Sequence, residues 1–123
     1  MTIFKQQRKQ VDPVDYTYYS HLDFDDYGRG VVVVTPYKAT YEFIRDKYLI
    51  NIEHEWVQKG TLDDIFDCTV WGMLPLHLAC KTRRLVVIPI IRPEHMMHDE
   101  MTYADICDHA RKPVVYTVKR VES

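Results

Sequence analysis

The chain has 123 residues, enough for one domain with its own core and no obligatory metal or disulfide staple. Hydrophobic residues make up 46% and charged residues 28%, a balance that excludes a disordered chain. The formal net charge of −2 excludes the broad cationic surface that long DNA or RNA demands, but not a small anionic ligand held by a few donors.

The first thirty residues read as an N-terminal extension or arm, and residues 31–123 as the ligand-binding domain. Met1-Thr2-Ile3-Phe4-Lys5 leads into the polar run KQQRKQ, not into the apolar core of a signal peptide. Residues 12–27 are rich in Asp and Tyr, which suits an arm packed by its tyrosines or a lid or dimer arm over a ligand. No apolar run approaches the ~20 residues of a membrane span. Cys68, Cys80 and Cys107 have no metal-ligand spacing, and their odd number argues against a disulfide framework. They read as reduced thiols, mostly in the core, of a cytoplasmic protein.

The β-branched run 31–35 (VVVVT) predicts a strand buried on both faces. Thr40 is positioned to cap a helix over 41–48. Residues 50–56 (INIEHEW) alternate and predict a half-buried strand, with Ile50, Ile52, His54 and Trp56 on one face. A short helical turn follows Gly60 and Thr61, then a strand over 68–73 and a helix over 75–82 opened by Pro75. Residues 85–91 predict a buried strand, interrupted or made an edge by Pro89. Thr102 and Asp105 have the spacing of a capping box for a helix over 103–110, and 114–121 predict a closing strand. Strands alternating with helices imply an α/β domain with a mainly parallel sheet of about five strands.

In such sheets ligands bind beyond the carboxyl ends of the strands. That rule selects Thr35-Pro36-Tyr37-Lys38, then Gly72-Met73-Leu74-Pro75 with His77, then Arg92-Pro93-Glu94-His95. Thr35 offers a hydroxyl, Lys38 a cation, and the following helix N-termini offer free N–H groups, a set that suits a phosphodiester. Alone, Lys38 reads equally as a solvated surface charge. His77 can donate to a phosphate or move a proton, or be a half-buried structural histidine. His54, among apolar neighbours, reads first as a core histidine. His95, His98 and Asp99 could share a metal only on a helix, and Pro93 with the cap at Thr102 argues for a loop, so no metal or other cofactor is expected. The common nucleotide and hydrolase signatures are absent.

The succession VVVVTPYKATYEFIRD, INIEHEW, DCTVWGMLPLHLAC, LVVIPI, EMTYADI and VVYTVKRVE resembles the type III CRISPR-associated Csx family numbered sixteen, over about residues 31–122. Gly72 to Ala79 carries its most specific segment. The resemblance implies a single Rossmann-like domain acting as a ring nuclease. Such an enzyme binds cyclic oligoadenylate, cyclic tetra-adenylate first among the rings, and linearises it. It implies a ligand loop at Thr35, Pro36, Tyr37 and Lys38, a histidine at His54, and a segment from Leu74 and Pro75 through His77 to Ala79. Lys38 and His77 would then be catalytic, adenines would stack on Tyr37 or Trp71, and a homodimer would share the ring. The family turn is often Arg-His-Pro-Gly, where this chain has Pro36-Tyr37-Lys38-Ala39. Two other readings stand beside this one: a module that binds the ring without cutting it, and an interaction protein whose arm holds a partner.

Overall fold

Val31–Val34 is buried at every position, as a continuous β-branched run requires of a strand covered on both faces. The computed structural model describes residues 2–10, 27–92, 94 and 101–122, with residues 2–10 and 122 described by their backbone alone. In chain order the elements are β1 (Thr2–Gln10), β2 (Val31–Val34), α1 (Lys38–Tyr48), β3 (Glu55–Val57), α2 (Leu62–Ile65), β4 (Thr69–Gly72), α3 (Leu76–Ala79), β5 (Arg84–Val87), α4 (Tyr103–His109) and β6 (Val114–Glu122). They form a single α/β domain around a sheet of order β1-β6-β5-β4-β2-β3. Strands β2 to β5 are mutually parallel; β6 runs antiparallel to β5, and β1 antiparallel to β6.

Alternation along each strand builds two cores. Val31, Val33, Trp71 and Val86 face α1 and α4, where Phe43, Ile44 and Ile106 meet them. Val32, Val34, Val70 and Leu85 face α2 and α3, where Ile65 and Ala79 close the layer. Helices therefore cover both faces of a largely parallel sheet, the expected fold class.

Several boundaries differ from expectation. The alternating segment 50–56 is a strand only from Glu55; Ile50 is 66% exposed, and residues 50–52 form a turn. Helix α1 begins at Lys38, three residues before position 41, and Thr40 lies inside it rather than capping it. Strand β5 stops at Val87, before Pro89, whose carbonyl instead accepts from the Arg111 N–H. The capping box at Thr102 and Asp105 forms as its spacing predicts. Cys68 is buried, but Cys80 is half-buried and Cys107 exposed, so the core holds one thiol rather than most of them.

The arm's opening residues supply a sixth strand at the sheet edge, its register running from Thr2 opposite Glu122 to Gln10 opposite Val114. A run such as KQQRKQ has no strand signal of its own; cross-strand pairing decides it. Most of the Asp/Tyr-rich stretch, residues 11–26, lies outside the described residues. No described helix is long and apolar enough to cross a membrane.

Candidate functional site

The strand order reverses at β2. Helix α1 carries the chain outward to β3, and the next connection returns it past β2 to β4. Such a switch point opens a crevice beyond the carboxyl ends of the strands. Here that crevice is a cleft of about 430 Å³. Its rim comes from the loops after β2, β3 and β4, and its walls from both helical layers through Phe43, Ile44 and Leu78.

Thr35 organises the first loop. It is 6% exposed, and its N–H donates to the Val57 carbonyl, 3.1 Å away. Its carbonyl accepts from the Trp56 indole at 2.9 Å, and its Oγ1 accepts from the Tyr37 N–H at 3.2 Å. That last bond turns the chain so that α1 can start at Lys38, with Tyr37 as an N-cap residue whose side chain caps nothing. The first turn of α1 contains no acidic residue, and Arg45 and Lys47 occupy its last turn. The first leaves the positive end of the helix dipole without an acidic side chain of its own, as an anion there requires, and the second complements the negative end.

The cleft lining includes Thr35, Pro36, Tyr37, Gly72, Leu74 and Pro75 from the expected set. Lys38 is exposed at the start of α1, next to the lining and not part of it. His77 is exposed on α3, between the lining residues Pro75 and Leu78. Arg92 is exposed two residues beyond the lining residue Ile90. Trp71 does not reach the cleft: it is 2% exposed, stacked on Tyr48 with ring centres 5.3 Å apart, and offers no face to a base. Sequence alternation places Trp71 in a strand, but only the sheet shows that its face lies beneath α1.

His54 lies at the opposite end of the sheet. The Ile52 carbonyl can only accept, so Nδ1 donates to it across 2.7 Å, and Nε2 is hydrogen-bonded to the Tyr41 hydroxyl at 3.0 Å. Tyr41 in turn stacks on Trp56 with centroids 4.5 Å apart and planes 4° from parallel. Both ring nitrogens of His54 are thus partnered, but the residue is half-buried at the sheet edge rather than in the core. Around it a polar hollow of about 530 Å³ gathers Arg29, Glu53, Glu55, Asp63 and Asp64. Arg29 donates to the main-chain oxygens of Phe66 and Asp63, and Asp64 closes a capping box with Thr61 that holds its carboxyl below the usual range.

The expected set omits Gln58, Lys59 and Gly60, which line the cleft from the loop after β3. The strand-end rule would have found them had it been applied to the strand over 50–56 as well as to the other strands. His95, His98 and Asp99 lie outside the described residues, and among those described no group of three or more His, Cys, Asp or Glu is placed to hold a metal ion. Comparison with protein-family models, curated proteins and solved structures returns no match.

Proposed function

We propose that this protein is a ring nuclease that binds cyclic oligoadenylate, cyclic tetra-adenylate in the first instance, and linearises it. Its action would switch off type III CRISPR signalling in antiviral defence. The observation that carries the reading is the cleft at the switch point, where the loop from Thr35 to Tyr37 and the uncapped start of α1 face an apolar cavity. Such a cavity suits a base, and such a helix start suits its phosphate. The motif resemblance over residues 31–122 supplies the substrate class.

The ring brings its own nucleophile. A 2′-oxygen attacks the adjacent phosphorus, the bond from phosphorus to the 5′-oxygen breaks, and a 2′,3′-cyclic phosphate and a 5′-hydroxyl result. The 2′-hydroxyl loses a proton and the 5′-oxygen gains one. The protein's share is to hold the attacking oxygen in line and to stabilise charge on the phosphoryl oxygens. Thr35, the first N–H groups of α1 and Lys38 are assigned the charge, and His77, at the cleft rim, delivers the proton to the leaving oxygen. Tyr37 offers the ring face for stacking. A four-fold ring spans two copies of the site most simply in a two-fold homodimer.

The second reading is a module that binds or sequesters the ring uncut. It is favoured by Lys38 and His77 standing outside the cleft lining. Incubation with tri-, tetra- and hexa-adenylate rings in EDTA, followed by product analysis, separates the two. The nuclease gives linear products with 2′,3′-cyclic phosphate ends, the module returns intact rings with measurable affinity, and a protein with neither activity overturns both.

A further inference from the structure

We propose that Lys59 is a ligand-contacting cation of the cleft, meeting the phosphate of a nucleotide whose base occupies the apolar interior. The nucleotide character of the ligand rests on the function proposed above; the role of Lys59 rests on the cleft itself. Among the described residues that line it, Lys59 is the only lysine or arginine, and none is a carboxylate. No ion pair joins Lys59 to a carboxylate among the described residues. Lys59 is exposed at the lip of an apolar cavity, and with no counterion among the described residues its charge is available to a ligand.

The loop that carries Lys59 is held at both ends. Val57 accepts from the Thr35 N–H, and Thr61 enters the capping box of α2. Between them Gly60 passes so close to the core that an added Cβ would lie 3.1 Å from Ile65 Cγ2 and 3.3 Å from Val34 Cγ2. Those neighbours belong to the core layer of α2 and α3, whereas α1 packs on the other face. Lys59 therefore meets the cleft from the side opposite the start of α1. A phosphate at the mouth lies between a lysine on one face and helix N–H groups with the Thr35 hydroxyl on the other. Lys38, at the first position of α1, adds its charge only from the helix side.

The test measures binding of cyclic tetra-adenylate and of 5′-AMP to the full chain at several salt concentrations. It compares the wild type with Lys59→Ala, Lys59→Arg and, as a remote control, Lys119→Ala, an exposed residue of β6 at the other end of the sheet. Loss of a charge-assisted contact predicts about tenfold to a hundredfold weaker binding for Lys59→Ala. The slope of log affinity against log salt should fall by about one, the signature of one lost phosphate contact. Lys59→Arg should retain most of the affinity, and Lys119→Ala all of it. Circular dichroism and a thermal melt establish that each variant is folded. Unchanged affinity and slope in Lys59→Ala overturn the proposal while leaving the ring reading in place. Binding of 5′-AMP that depends on Lys59, with no binding of the ring, supports the proposal and overturns the ring reading. A wild type that binds neither probe overturns both.

Discussion

The indole Nε1 of Trp56 donates to the main-chain oxygen of Thr35 across 2.9 Å, tying the edge strand β3 to the loop that opens the cleft. Trp56 is itself braced by the Tyr41 ring on α1, so one aromatic pair fixes both the loop and the helix that begins from it. Trp56→Phe keeps a ring for the stack and removes the donor. It should lower stability by about 1 kcal/mol, the net worth of one such bond. Urea denaturation should show a lower midpoint at constant slope; an unmoved midpoint would assign the bond no role in holding the loop.

Gly72 ends β4 at φ 138°, and a Cβ there would lie 2.1 Å from the Val34 carbonyl oxygen on the paired strand. Gly72→Ala must both strain the backbone and push the two strands apart at the floor of the cleft. We expect a loss of about 2–4 kcal/mol. Gly30, at φ 150° with open space around it, carries only the backbone strain, so Gly30→Ala should lose less. Equal losses in thermal denaturation would sink this account of Gly72.

Acid should act through the helix caps. Backbone and hydroxyl donors of Thr102 hold the Asp105 carboxyl below its usual range, and those of Thr61 do the same for Asp64. The Asp46 carboxyl is lowered first by its bond from Arg45, with a further bond from the Tyr103 hydroxyl. A carboxyl depressed in the folded state binds its proton more readily when unfolded. Its stabilisation is full above the unfolded carboxyl range and is lost as pH falls through the folded value. Asp105→Asn should therefore lower stability at neutral pH and flatten the decline below about pH 4, the ordinary carboxyl range. A pH series of unfolding midpoints measures this, and an unaltered acid limb would exclude Asp105 from it.

For the chemistry, His77→Ala should slow ring cleavage by ~10²–10⁴-fold with little loss of ring binding, as expected for removal of a general acid. EDTA should leave the wild-type rate unchanged, because in the proposed mechanism the substrate's own hydroxyl is the nucleophile. Cleavage abolished by EDTA and restored by Mn²⁺ would overturn the metal-free mechanism. A full rate in His77→Ala would return that residue to a structural role and leave positioning alone to explain catalysis.

The parts of this fold legible in the sequence are those set by local chemistry. The valine run of β2 can only be a doubly covered strand, and Thr102 with Asp105 can satisfy each other only as a cap. The strand-end rule likewise brings Thr35 to Tyr37 and Gly72 to Pro75 to one cleft without any view of the structure. What the sequence conceals depends on partners distant along the chain. The alternation of INIEHEW matches a strand over seven residues, yet His54 spends its Nδ1 donor on Ile52 in a turn, and only Glu55 to Val57 find a neighbour in β2. The loop that carries Lys59 was within reach of the same rule, which was applied to other strands and not to this one. Trp71 resembles a stacking platform until the sheet shows that α1 covers its face.

The pairing of Thr2 with Glu122 also orders events during synthesis. Strand β1 has β6 as its sole neighbour in the sheet, and among the described strands β6 is the farthest from it along the chain. Until β6 emerges from the ribosome, β5 presents an open edge and β1 has no place to dock. The parallel centre can form earlier, from segments that follow one another closely. The two outer strands then close together as a late seam, which leaves the nascent chain open to association with other chains until β6 is available.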